Sequence, residues 1–202
     1  MVPTVFVKNY EPPAYDLREV LRYAGVRGPS AGIEALAEDC IRELGDRVSC
    51  KVCYAEFPIC GGADGLDLTF ARTDSRDLAR NLAGCGSVVL FAATIGLGLD
   101  RLIARYARVA PSRAHMFQAV GAERIESLCD LFNREISSEK ALLGKITRPR
   151  FSPGYGDLPL ELQSDIFRVL DCPRRIWLSL NESLLMSPSK SVTALIGVGE
   201  KA

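Results

Sequence analysis

Hydrophobic and polar positions along the first half of the chain alternate between a helical period and a period of two. Asp16 to Ala24 predicts a short helix, with Asp16 as its cap, Leu17, Val20, Leu21 and Ala24 on one face, and Gly25 as its stop. A second helix runs from a Ser30 cap to Leu44, with Ile33, Leu36, Ala37, Cys40, Ile41 and Leu44 inward and Gly45 after it. The period then changes to two. Val48 to Glu56 and Leu66 to Phe70 predict strands joined by the turn-prone Gly61-Gly62-Ala63-Asp64-Gly65. Ser75 to Leu82 predicts a further helix ended by Gly84. Ser87 to Thr94 is a continuous apolar run, the pattern of a strand buried on both faces.

The second half opens with a helix from about Leu97 to Arg108. Pro111-Ser112 then starts the longest one, about 113–140, whose inner stripe is Met116, Val120, Ile125, Leu128, Leu131 or Phe132, and Ile136. Gly121 interrupts that stripe, where a neighbouring helix can approach closely. From Arg148 to Pro159 no helical period exists. A short helix from Leu160 to Leu170 follows, then strands near Arg175 to Leu180 and Ser191 to Val198. Without a regular strand–helix–strand rhythm, the pattern predicts an α+β fold. Its sheet is mixed or antiparallel and twisted, with several helices and one long helix near 113–140. One domain over 1–202 is expected, with a possible helix-and-strand subregion at 1–72.

Composition narrows the function. The 202 residues are 48% hydrophobic, and 25 basic residues balance 25 acidic ones. Zero net charge gives no global field to draw nucleic acid or an anionic membrane. The longest apolar run, Ser87 to Leu99, is too short to span a bilayer. The first ten residues carry Pro3, Lys8 and Asn9 rather than a leader pattern, so a cytoplasmic location is expected. Seven cysteines, an odd number, then predict free thiols. Cys50-x-x-Cys53 with Cys60 has the outline of a metal or redox site. However, Val48, Cys50, Val52 and Tyr54 alternate along one strand face, which puts Cys53 on the other. His115, the single histidine, sits in a helical stretch, so structural cysteines and no bound metal are expected.

Three weaker patterns have mainly structural readings. Gly96-Leu97-Gly98-Leu99-Asp100 follows a buried strand and opens a helix, similar to a dinucleotide-binding turn, yet it lacks a third glycine. Asp64 and Asp67 suit a hairpin better than a calcium loop, which would need a fuller ligand set. Arg101, Arg105 and Arg108 read as a solvated helix face.

The segment with the most chemistry is Arg150-Phe151-Ser152-Pro153-Gly154-Tyr155-Gly156-Asp157-Leu158-Pro159. Its prolines restrict the backbone, and Gly154 and Gly156 let a ligand approach the main chain. Arg150 offers a planar fork for a carboxylate, and Tyr155 a flat face with one hydroxyl. These groups suit a small zwitterion with an aromatic or cationic part. From composition alone, however, a rigid connecting loop whose arginine pairs with a surface acid is the favoured reading. Glu182 is a second candidate carboxylate, read either as functional or as a strand-end ion-pair partner.

The loop from Arg150 through Ser152-Pro153-Gly154-Tyr155 to Pro159 resembles the Arg-x-x-Pro-Gly-Tyr loop of the activation domain of cobalamin-dependent methionine synthase. Asn181-Glu182-Ser183-Leu184-Leu185-Met186-Ser187-Pro188-Ser189-Lys190-Ser191-Val192 is similar to that family's Thr-Glu-Ser-x-x-Met-x-Pro-x-x-Ser-Val. Ile166 to Asp171 is similar to its helix end. The match spans about 148–197. Leu21-Arg22-Tyr23-Ala24-Gly25 and Ala92-Ala93-Thr94-Ile95-Gly96 resemble phrases of a stand-alone branch. Asp157 stands where the family has a small alanine.

The resemblance implies an S-adenosylmethionine-binding module that helps re-methylate an inactive corrinoid, as a component of a methyltransferase activity. The implied binding residues are Arg150, Pro153, Gly154, Tyr155, Gly156 and Glu182, with no catalytic acid or base. Cobalamin would reside on a separate cobalamin-binding methyltransferase chain, and a flavodoxin- or ferredoxin-type donor would supply the electron. The alternative implied role is a non-catalytic S-adenosylmethionine-sensing or docking partner of a corrinoid protein.

Overall fold

A computed structural model describes residues 3–62 and 65–201. An edge strand, β1 (Phe6–Tyr10), precedes the first helix, α1 (Leu17–Tyr23). Asp16 caps α1 as its sequence requires, accepting from the Arg18 and Glu19 amides. Helix α2 (Ala31–Leu44) buries Ala37, Cys40 and Leu44, while Ile33, near its first turn, is more exposed than its spacing predicts. A 3-10 turn (Gly45–Arg47) leads into β2 (Cys50–Pro58). Next come the short strands β3 (Cys60–Gly62), β4 (Gly65–Asp67) and β5 (Arg72–Thr73), the helix α3 (Arg76–Asn81) and the central strand β6 (Cys85–Thr94). Helices α4 (Gly98–Tyr106) and α5 (Pro111–Leu142) follow, then β7 (Lys145–Thr147). The chain finishes with α6 (Leu162–Leu170), α7 (Cys172–Ile176), β8 (Ser179–Leu180), β9 (Met186–Ser187) and β10 (Ser191–Glu200).

The α+β prediction holds. Five strands form one antiparallel sheet in the order β1-β2-β6-β10-β7, and among the described residues there are seven α-helices. β6 divides the core. Val89, Phe91 and Ala93 face one layer, with α1, α2, α4 and α5. Val88, Leu90 and Ala92 face the other, with α3, α6 and α7. Burial on both faces is what the unbroken apolar run of β6 encodes. The same alternation sends Cys50 into the first layer and Cys53 into the second, so the Cys-x-x-Cys pair never converges.

Long α5 forms the spine of the first layer. A Cβ at Gly121 would fall well inside contact distance of the Leu99 side chain and crowd Lys190, so the missing side chain lets α4 and the segment before β10 close onto α5. One turn on, fully buried Arg124 pairs with Glu123, donates to the Pro13 and Ala14 carbonyls and lies 3.9 Å from the Tyr15 ring centroid. That clasp fixes the connection between β1 and α1 onto the helix.

Three expectations need correction. Arg175 to Leu180 is not one strand. α7 occupies Cys172–Ile176 and only Ser179–Leu180 extends, because Asp171 and Trp177 adopt left-handed φ of 50° and 57° on either side of the helix. Leu66 to Phe70 is cut short at Asp67, whose carboxylate accepts the Thr69 amide while Thr69 turns at φ 70°. The predicted hairpin pairs β3 with β4 rather than β2 with β4; its tip, Ala63 and Asp64, lies outside the described residues. β1 and β7 carry too short a pattern for sequence reading: Phe6 and Val7 are 52% and 41% exposed, and β7 spans three residues.

Candidate functional site

The loop 148–159 continues the chain from β7 along the outer edge of β10. The Arg148 amide donates to the Gly197 carbonyl at 2.8 Å, and Phe151 and Leu195 exchange both main-chain hydrogen bonds at 2.9 and 2.8 Å. With Phe151 turned toward the second core layer, Arg150 turns the opposite way, onto α5. There its guanidinium forks between Asp130 and Glu126, one helical turn apart on α5. Burial works against this charge, but the Asp130 hydrogen bond and the neighbouring carboxylates outweigh it and raise the guanidinium pKa. The arginine thus sits in a ready-made anion-binding posture already filled by two carboxylates of its own chain. The Glu126 and Asp130 side chains are 41% and 55% exposed, so the cluster opens to solvent on their side.

Beyond Arg150 the loop folds on itself. Pro153 is buried, the Tyr155 amide donates to the Ser152 carbonyl, and the Gly154 and Leu158 amides close the turn through Leu158 and Tyr155 carbonyls. Gly154 and Gly156 have φ of 83° and 56°, conformations that favour glycine. A side chain on Gly156 would also run into the Asp77 carboxylate. Tyr155 is 71% exposed, its ring edge-on to Phe151 at 5.7 Å.

Asp157 accounts for the loop's attachment. Its carboxylate accepts from the Ser75 hydroxyl and from the Arg76 and Asp77 amides, at 2.9 and 3.2 Å, capping α3 from a distant part of the chain. The Ser75 hydroxyl, followed by those amides, holds the Asp157 carboxyl below the usual carboxylate range. No pattern in the sequence announces this contact, since donors and acceptor are about 80 residues apart.

Arg150, Pro153, Gly154, Tyr155 and Gly156 therefore share one loop. Glu182 does not join them there. It is exposed in the β8–β9 turn, where it borders an open depression of about 560 Å³ shared with Phe167, Arg168 and Asp171 on the α6 and α7 side. Sequence reading also missed three buried acceptors near the loop, of which Asn81 Oδ1, on the side chain that donates to the Pro149 carbonyl, has no partner among the described residues. Thr193 Oγ1 lies two residues from the Phe151–Leu195 bridge, and Gln163 Oε1 lies on α6 just after the loop. Neither has a hydrogen-bond partner among the described residues.

No helix among the described residues is long and apolar enough to cross a membrane. No family model matches the chain, and no curated protein matches it in sequence. Among solved structures it is similar to the crystal structure of the MetH reactivation domain bound to AdoHcy. The TM-score is 0.66 at 17% identity, over 96% of this chain and 78% of that one. At such identity the likeness is one of architecture, and it places nearly the whole chain in the fold of the MetH reactivation domain.

Proposed function

We propose that this chain is an S-adenosylmethionine-binding reactivation module for a cobalamin-dependent methyltransferase. The observation that carries the reading is the fold likeness, over 96% of the chain, to a reactivation domain bound to AdoHcy, which is S-adenosylmethionine without its transferable methyl group. The Arg150-to-Pro159 loop, similar in sequence to that family's binding loop, supports it from the other direction.

The residues present fit such a ligand. Its methionine end is a zwitterion, and the loop brings a guanidinium and two carboxylates together at Arg150, Glu126 and Asp130. In this reading the ligand carboxylate takes one arm of Arg150, and a freed α5 acid receives the ammonium. The exposed edge beside Gly154 and the Tyr155 face flank the rest of the molecule. Held there, S-adenosylmethionine would supply a sulfonium methyl group for a corrinoid on a partner chain, leaving AdoHcy in the loop, with the electron supplied by a flavodoxin- or ferredoxin-type donor. The work of this chain is positioning, with no general acid or base required of it.

Calorimetric titration with S-adenosylmethionine and AdoHcy tests the binding claim, with saturable binding of one ligand per chain expected. Absence of binding at millimolar ligand overturns it. A turnover assay with a cob(II)alamin-loaded carrier, reductant and S-adenosylmethionine tests the catalytic claim. Binding without methyl transfer would assign the chain the sensing or docking role instead.

A further inference from the structure

A second concave region lies away from the Arg150 loop, where α4 meets the 3-10 turn that follows α2. It is a cavity of about 520 Å³ lined by Arg47, Leu97, Gly98, Arg101, Leu102 and Arg105. Its lining thus holds three guanidiniums and no carboxylate. Two acids stand close to the lining in sequence and contact: Asp46, exposed beside Arg47 in the 3-10 turn, and Glu43, which is already committed. Arg113 binds it through Nε and Nη2 at 3.1 and 2.7 Å, and Tyr106 donates to it at 2.8 Å. Arg105 reaches only to 4.0 Å of it, and Arg47 donates to the Glu43 main-chain carbonyl rather than to its carboxylate. Asp100, in the first turn of α4, is engaged with the Ser189 amide and hydroxyl. Apart from the 4.0 Å approach of Arg105 to Glu43, the three lining guanidiniums therefore have no side-chain ion pair among the described residues, in a chain whose net charge is zero.

The backbone here is built for close approach. Gly96, at φ 78°, ends the extension of β6, and Gly98 opens α4 with no side-chain cap on the helix. A Cβ on Gly98 would collide with the Arg47 carbonyl, so the glycine holds Arg47 against the first turn of α4. This is the Gly96-Leu97-Gly98 turn singled out in the sequence, and it sits beside the three arginines. A strand-to-helix glycine turn with an uncapped helix start favours anions, and arginine forks match phosphate oxygens. Through Leu97 the cavity adjoins a smaller slot of about 160 Å³, with Trp177 and Lys51 on its wall. We propose that this cleft binds a phosphorylated small molecule, with its phosphates on Arg47, Arg101 and Arg105. The inference stands independently of the Arg150 loop, because S-adenosylmethionine carries no phosphate.

The test is calorimetric titration of the full chain with pyrophosphate and with adenosine triphosphate at physiological salt. Both should bind one per chain with Kd on the order of 0.1–1 mM or tighter. Arg101→Ala should weaken each roughly tenfold to a hundredfold, the loss of one charge-assisted contact, and Arg108→Ala, exposed in the turn after α4, should not. Trp177 is the sole tryptophan, so its fluorescence reports on the adjoining slot. Tighter triphosphate binding with a change in that fluorescence identifies a nucleotide, and equal affinity without one identifies a free polyphosphate. Absence of saturable binding, or binding that Arg101→Ala and Arg47→Ala leave unchanged, overturns the proposal.

Discussion

Replacing Arg150 with alanine removes two things together, and the structure lets their sizes be separated. The first is the fork to Glu126 and Asp130. Both acids are substantially exposed, so each pair contributes only about 0.2–1 kcal/mol to folding. The combined loss is about 0.4–2 kcal/mol, equivalent in a chain of this size to a melting shift of roughly 1–8 °C. The second is the proposed charge-assisted contact with the ligand carboxylate, about 1.5–3 kcal/mol. Its loss weakens S-adenosylmethionine roughly tenfold to a hundredfold. Arg150→Lys should restore much of the stability but little of the affinity, since an ammonium cannot span two acceptors. Arg148→Ala is the internal control, because that side chain is anchored on the Ala83 carbonyl. Calorimetry and thermal melting on the same samples give both numbers. If Arg150→Ala binds S-adenosylmethionine like the parent while melting several degrees lower, the arginine is an architectural tie to α5 and the ligand assignment fails.

Asp157→Ala should lower the melting temperature and loosen the loop. Because the native carboxyl is held below its ordinary range, its contribution is present above the unfolded pKa of about 4 and disappears as pH falls through the lower folded value. The melting difference between parent and variant should therefore shrink from pH 6 toward pH 3. Gly121→Ala should destabilise by about 1–3 kcal/mol in denaturant melts despite alanine's better helix propensity, through overpacking against Leu99; an unchanged midpoint would contradict the close approach of α4 to α5. Timed alkylation read by mass spectrometry should label exposed Cys60 first. Cys40 and Cys50, whose thiols burial pushes up to about 11, should label only on unfolding.

Much of the architecture is written locally. Asp16 caps α1, the Pro111 start and apolar stripe give α5, and the unbroken run of β6 reads correctly as doubly buried. α7 does not read this way. Ile176, Leu178 and Leu180 alternate like a strand, and nothing in the identities of Asp171 and Trp177 announces that tertiary packing holds both in left-handed turns. The site divides along the same line. Its loop stands out through its glycines and prolines, whereas Glu126, Asp130 and Ser75 look like ordinary surface residues until the chain folds. Their roles depend on partners 20 to 82 positions away.

The attachment of Asp157 to the start of α3 has a consequence for minimal versions of this protein. The loop and the downstream motif occupy the last third of the sequence, and that piece alone holds most of the recognisable phrases. Yet the loop's shape is imposed from outside it, by Ser75, Arg76 and Asp77 on one side and by α5 on the other. A peptide or graft beginning near residue 145 would keep the letters and lose the mould. Transplanting the loop into another scaffold would require moving a capped helix and an acidic helix face along with it.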